Sequence, residues 1–243
     1  TWMDYDQSLI SEGGGIFDRK AKSIALTPQI RKALEIEATS ITPNELIRRI
    51  LLARVDLLWF GGIGTYIKSS DESNADADDR SNDALRIDAE RLRCKVIGEG
   101  ANLGVTQLGR IEFARNGGYV NTDFIDNSAG VDCSDHEVNI KIVLDAVVSE
   151  GELTLKQRNR LLEEMTDDVS RLVLNDNYLQ TQAISLALHR GGSRLERQWR
   201  LMRMLERSGQ LNRPIEFLPD DEEMAERQAE GRGLTRPEYA VMF

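Results

Sequence analysis

Three short apolar runs, each ending in glycine, asparagine or another very small residue, constrain this chain more than any other feature. Val55–Phe60 runs into Gly61-Gly62-Ile63-Gly64, Cys94–Ile97 into Gly98-Glu99-Gly100-Ala101-Asn102, and Tyr119–Ile125 into Asp126-Asn127-Ser128-Ala129-Gly130. Runs of this length that are apolar on both faces predict strands of a parallel sheet covered by helices. Thr106–Asn116, closed by Gly117-Gly118, reads as a helix between the second and third runs. Strand, helix and strand in that order make a parallel crossover. Thr42-Pro43-Asn44-Glu45 opens another helix with a hydroxyl cap and an early proline. Leu46, Ile47, Ile50, Leu51 and Leu52 give that helix an apolar face before it meets the first strand. The polar stretch Ser69–Arg91 reads as an exposed excursion.

From Ser134 onward the pattern turns helical. Ser134–Glu137 has the form of a capping box and opens a helix to about Ser149, with Gly151 as its stop. Thr154–Gln157 opens a longer helix carrying Leu161, Leu162, Met165, Val169, Leu172 and Val173. Gly191-Gly192 ends the next, Ser193–Glu196 starts one carrying Leu195, Trp199, Met202 and Leu205, and Leu211–Pro219 is a loop. Internal repeats are absent. The expected fold class is α/β: an incomplete Rossmann-like parallel sheet, forming a partial dinucleotide-binding domain over residues 1–133, followed by an all-helical C-terminal segment over 134–243. The chain begins at Thr1 rather than methionine, and the capping box Thr235–Glu238 leaves its helix barely a turn before Phe243. Both ends therefore read as cuts in a longer protein.

With 31 basic against 41 acidic side chains the formal net charge is −10. A surface that acidic repels phosphate backbones and anionic lipids, so nucleic-acid and membrane-surface roles are not expected. The longest apolar stretch, Ile50–Phe60, is interrupted by Arg54 and Asp56 and cannot span a bilayer. No signal-peptide pattern opens the chain. Cys94 and Cys133 are the only cysteines, which excludes a disulfide framework and suits a reducing, cytoplasmic compartment. In open parallel sheets ligands bind beyond the carboxyl ends of the strands. Small residues there admit a flat ring or a ribose, and asparagine both donates and accepts. Singly, such glycines need only make tight turns; three tips together favour a pocket. Gly98–Gly104 is spaced G-x-G-x-x-x-G and is not a pyrophosphate fingerprint, because no acidic residue follows in the expected place. Asp132–Glu137 has three readings. Cys133 and His136 are half of a metal site, though the other cysteine and histidine, Cys94 and His189, are isolated. They are a cysteine–histidine nucleophile pair at a helix start. Or Ser134 and Glu137 simply cap the helix, whose free amides also suit a substrate carboxylate. Asp71–Asp79 lacks the glycine and ligand order of a calcium loop. No metal site is expected.

Taken in order, Val55–Tyr66, Lys95–Gly109 and Thr122–Asn139, together with the opening Trp2-Met3-Asp4-Tyr5-Asp6, Gly13-Gly14-Gly15 and Lys22-Ser23-Ile24, resemble the amino-acid dehydrogenase superfamily, most closely the large bacterial NAD-specific glutamate dehydrogenases. The resemblance is most specific to about residue 145 and continues to Gly233–Glu238. It implies that Gly61 and Gly62 lie against the nicotinamide ribose, that Gly100, Ala101 and Asn102 form the turn beside the cofactor, and that Asn127 holds the nicotinamide side. It implies Ser134 as the contact to the substrate carboxylate. Asn127-Ser128-Ala129-Gly130 departs from the Asn-Ala-Gly-Gly of the smaller enzymes, so contacts at Ser128 and Ala129 do not carry over. The implied reaction oxidises L-glutamate to 2-oxoglutarate and ammonia with NAD as cofactor, in a homo-oligomer. The family's catalytic lysines and aspartate match no position here, so no catalytic residue is assigned and the chain alone is expected to be inactive. Its incomplete sheet is expected to leave an edge that promotes self-association. The alternatives are a dehydrogenase of another amino acid, or a non-catalytic interdomain or oligomerisation module.

Overall fold

A computed structural model describes residues 2–243, apart from the side chain of Ser193. The chain divides into two compact units, Thr1–Gly98 with Leu103–Val120, and Glu99–Asn102 with Asn121–Phe243. The helical unit thus takes in residues 99–102 and 121–133, which the sequence assigned to the sheet part.

In the first unit, β1 (Ile24–Ala25) pairs antiparallel with β2 (Ser40–Ile41) around α1 (Pro28–Leu34). Ile24, Leu26, Ile36 and Leu46 form a small core there. In α2 (Pro43–Leu51) the Thr42 hydroxyl accepts the Glu45 amide at 3.2 Å, the cap its sequence announces. β3 (Leu57–Phe60), β4 (Ile67–Lys68), β5 (Ile87–Asp88) and β6 (Val96–Glu99) follow, with α3 (Gln107–Arg115) capped by Thr106. β4 runs parallel to β5, β3 hydrogen-bonds to β6, and Tyr119 makes a parallel bridge to Val96. The crossover through α3 is therefore formed. Phe60, Ile67, Ile87, Ile97, Val105, Phe113 and Val120 interlock beneath it.

Two expectations for this unit are corrected. The strands are not covered on both faces: alternation along β3 buries Phe60 but leaves Leu57 53% and Trp59 58% exposed. The Trp59 ring lies over Gly98, where a Cβ would stand 2.7 Å from it. Nor is all of Ser69–Arg91 an exposed excursion: Ser70–Ser81 lies largely at the surface, but Leu85, Arg86, Ile87 and Ala89 are buried. The reason is Arg86. A guanidinium inside a fold must have its donors satisfied, and the loop curls inward to do so. Arg86 donates from Nε to the Thr65 carbonyl at 3.0 Å, from Nη1 to Asp83 at 2.6 Å and Asn74 at 3.0 Å, and from Nη2 to the Asp79 carbonyl at 2.5 Å. The Asp79 carboxylate accepts from Ser81 and Asn82 at 2.6 Å each and from the Thr65 amide at 2.8 Å.

The second unit comprises α4 (Asp123–Asp126), α5 (Ser128–Ser149), α6 (Leu155–Glu164), α7 (Thr166–Arg190), α8 (Leu195–Arg207), α9 (Asp221–Ala229) and α10 (Arg236–Met242). No helix among the described residues is long and apolar enough to cross a membrane. Gly151 and Gly191 end α5 and α7 as expected. The expected cap at Ser193 rests on a side chain outside the described residues; α8 begins at Leu195 after a 3-10 turn over Gly192–Arg194. Three further expectations are corrected. The run Tyr119–Ile125 is extended only at its start, and Asp123–Asp126 is helical. Polar side chains override the strand propensity of Phe124 and Ile125: Asp123 takes the Phe124 amide at 2.9 Å, and its carbonyl takes the Asn127 amide at 2.8 Å. The helix expected to start at Ser134 starts at Ser128, so Ser134 lies mid-helix with its hydroxyl donating to the Gly130 carbonyl at 3.3 Å. The single helix from Thr154 breaks at Met165, where Asp167 and Asp168 favour a new N-terminus.

Ile184, Leu195, Met202, Met224 and Tyr239 form the core of this unit. Beside them, Arg227 and Glu238 are each 1% exposed and paired by two bonds of 2.9 and 2.7 Å. Glu238 also accepts the Thr235 amide and hydroxyl, so the capping residue of α10 is the counter-ion of α9. Burial pulls the Arg227 pKa down, but Glu238 and Glu223 outweigh it and raise the value.

Two outcomes follow from these pairs. Glu238→Ala leaves the buried Arg227 guanidinium with Glu223 as its remaining counter-ion and lowers unfolding free energy by about 3 kcal/mol, while Arg227→Met/Glu238→Leu loses less than the sum of its single changes, both read by urea denaturation. Asp79, with its pKa lowered from 3.8 to about 2 first by Ser81, then by Asn82 and the Thr65 amide, stays ionised longer in the folded chain. Its stabilisation is present above pH 3.8 and lost as pH falls toward about 2. Asp79→Asn is therefore less stable at neutral pH, and its denaturation midpoint falls less over that interval than the wild type's.

Candidate functional site

The α4–α5 joint organises the helical unit's cavity. Asp126, ending α4, accepts the Glu99 amide at 2.9 Å and the Asn121 side-chain amide at 2.6 Å. Asn177 of α7 donates to the Ile125 carbonyl at 2.9 Å and the Ser128 hydroxyl at 3.1 Å, pinning the first turn of α5. Arg236 closes the network, donating to Asn121, to the Ser185 hydroxyl at 2.8 Å and to the Thr181 carbonyl at 3.2 Å.

This bracing brings two of the sequence-assigned residues together. The Asn127 amide donates to the Asn102 carbonyl oxygen. Each carboxamide has two donors and a two-lone-pair acceptor, so the bond leaves the Asn127 oxygen as an acceptor and the Asn102 nitrogen as a donor. Both residues line a cavity of about 700 Å³ with Asp123, Phe124, Ser128, Val131, Asp132, Asp135, Asp176, Leu179 and Gln180. Gly100 and Ala101 form the turn that leads β6 to Asn102, and Leu103 after it takes a left-handed conformation with φ 61°. Ser134, by contrast, is exposed and does not line the cavity. With α5 starting at Ser128, the helix-start reason for a carboxylate at Ser134 no longer holds.

The cavity-lining aspartates were missed from sequence. Their signal is the spacing Ser128, Val131, Asp132, Asp135 on α5 and Asp176, Leu179, Gln180 on α7, one stripe on each helix. The expected helix start at Ser134 split the first stripe. Nor is the cysteine–histidine pairing formed as read: His136 Nε2 faces Asp132 at 3.4 Å, while Cys133 lines a separate cavity of about 510 Å³ with Glu137, Met165 and Thr166.

Gly61 and Gly62 belong to the sheet unit and line a cavity of about 300 Å³ with Ile47, Leu58, Trp59 and Tyr66. Gly64 is glycine for a local reason: its φ is +123° and a Cβ would stand 2.7 Å from Asn82 Nδ2. Gly62 has no such reason. Its φ is unexceptional, and a Cβ there would meet nothing within 4 Å. The second free cysteine, Cys94, is buried, and burial pushes its thiol up to about 11, which leaves it inert.

Residues 1–187 match the family described as bacterial NAD-glutamate dehydrogenase, catalytic domain. The whole chain is 59% identical to the NAD-specific glutamate dehydrogenase of Pseudomonas aeruginosa, 58% to that of Halomonas elongata and 50% to that of Mycobacterium tuberculosis. It spans about 15% of the length of each of these relatives. With more than half of its residues matched by that family, the chain belongs to the bacterial NAD-glutamate dehydrogenase catalytic-domain family.

Proposed function

We propose that this chain supplies the nicotinamide-side wall of a longer NAD-dependent glutamate dehydrogenase, which converts L-glutamate to 2-oxoglutarate and ammonia. The observation that carries this is the Asn102–Asn127 pair at the cavity of the helical unit. Its remaining acceptor and donor are the complement of a nicotinamide carboxamide. Asp123 and Asp135 on the same cavity suit the positive charge of the oxidised ring, and so acidic a lining argues against a phosphate there. The relatives' name, NAD-specific glutamate dehydrogenase, supports the same cofactor and substrate.

When bound, NAD supplies the acceptor for the hydride leaving the glutamate α-carbon. The residues of this chain bind and orient. Asn127 and Asn102 fix the rotation of the carboxamide and hence which ring face meets the substrate; Gly100 and Ala101 keep the backbone close without side chains in the way. Gly61 and Gly62 are proposed ribose contacts on the evidence of their own cavity, where the lack of a side chain at 62 answers to nothing in the fold. Ser134 stands as a substrate contact on family likeness alone. The family's catalytic lysines and aspartate match no position of this chain, so the isolated chain is expected to have no turnover. Self-association through an uncovered strand edge remains part of this proposal.

In the longer protein, Asn127→Ala raises the KM for NAD roughly tenfold, the loss of about one hydrogen bond to the carboxamide, with a much smaller change in the KM for glutamate. An unchanged KM for NAD would overturn the assignment. Gly62→Ala leaves thermal stability of the chain within about 0.5 kcal/mol of wild type while weakening NAD binding, measured by calorimetry on the longer protein. Glutamate should be preferred over leucine, valine and phenylalanine in the same NAD-reduction assay.

A further inference from the structure

Asp132 and His136 stand one turn apart on α5, and Asp176 faces them from α7. One ligating atom of each lies within 4.8 Å of the other two, and all three side chains are half-buried. We propose that Asp132, His136 and Asp176 bind a divalent transition-metal ion of the Zn2+ or Co2+ class. This goes beyond the dehydrogenase reading and does not rest on it.

Four features favour a cation there. First, two half-buried carboxylates this close repel each other unless positive charge lies between them. Second, the contacts present do not satisfy them: His136 Nε2 to Asp132 Oδ1 is long at 3.4 Å, and the Asp176 carboxylate makes no hydrogen bond or ion pair among the described residues. Elsewhere in this unit half-buried carboxylates are tied down, as Glu206 is by Arg213 at 2.7 Å. Third, the cluster is preorganised, because Asn177, next to Asp176, anchors α7 to α4 through the Ile125 carbonyl and to the start of α5 through the Ser128 hydroxyl. Fourth, among the described residues no lysine or arginine lines the adjoining cavity, where Asp123 and Asp135 add further acidic groups.

The donor set selects the ion. Imidazole with two carboxylates suits zinc, cobalt, nickel, manganese and ferrous iron rather than an all-oxygen calcium site. Metal–ligand bonds of about 2.0–2.2 Å put ligand atoms on a shared ion about 3–4 Å apart. Small rotations of the three side chains close that gap. Three protein ligands leave positions for water from the cavity, so the ion would be open to solvent and exchangeable.

The test is isothermal titration of the metal-free chain, and of the longer protein containing it, with ZnCl2, paralleled by CoCl2 and the visible absorption of the bound ion. One equivalent is expected to bind, and His136→Ala, Asp176→Asn and Asp132→Asn each to weaken it at least about tenfold. His189→Ala, which removes the only other histidine, and Cys133→Ser are expected to bind as wild type does. Far-UV circular dichroism checks each variant's fold. Should His136→Ala not fold, Asp176→Asn on the other helix carries the same test. The proposal falls if wild type takes up no Zn2+ or Co2+, if His136→Ala, Asp176→Asn and Asp132→Asn bind as tightly as wild type, or if His189→Ala or Cys133→Ser abolishes uptake. In the first case the cluster is an imidazole–carboxylate contact only.

Discussion

The joint between α4 and α5 is held from three directions, and the cavity of the helical unit exists because of where that joint falls. Asp126 takes the Glu99 amide, tying the end of β6 to the turn at Asn121. Asn177 reaches from α7 to both sides of the joint, bonding one residue of α4 and one of α5. In these hydrogen bonds neutral amides donate to the Asp126 carboxylate, the Ile125 carbonyl and the Ser128 hydroxyl, each worth only about 1 kcal/mol or somewhat more. Together they set the rotation of α5 about its axis. That rotation decides that Val131, Asp132 and Asp135 face the cavity while Ser134 faces away.

Much of the fold could be read from local chemistry. Thr42, Thr106 and Thr154 cap the helices their sequences announce, and Gly151 and Gly191 end theirs, because a cap needs only residues within one turn. The crossover through α3 was equally legible, since a strand-sized run, a helix and a second run allow few other paths. What could not be read depends on partners distant in sequence. Ser134–Glu137 has every local mark of a helix start, yet α5 was already under way, begun by the turn that Asp123, Asp126 and Asn177 impose. Arg86 looked like part of a polar loop. Only the carbonyls of Thr65 and Asp79, brought round by the fold, make its burial tolerable.

The candidate site divides in the same way. Asn102 and Asn127 were found by position after apolar runs and by family likeness, and the helical unit brings them into contact. The aspartates of α5 and α7 were not found, because their common face appears only once both helices have their true starts and are packed together. The two glycine turns of the sheet unit make the complementary point. Gly64 is demanded by backbone geometry and a near neighbour, whereas Gly62 has space around it that the fold leaves unused. A residue kept small without a folding reason is the kind whose purpose lies in what comes to meet it.

Trp59 turns the exposed side of β3 into an optical feature. Its indole lies over Gly98, lines the same cavity as Gly61 and Gly62, and stands 3.4 Å from where a Cβ on Gly61 would be. An indole that is more than half exposed emits at the red end of its range and is sensitive to quenchers and to anything that dries its surface. The protein therefore carries an intrinsic fluorophore at its glycine turn, and any ligand that covers the indole there would change its emission.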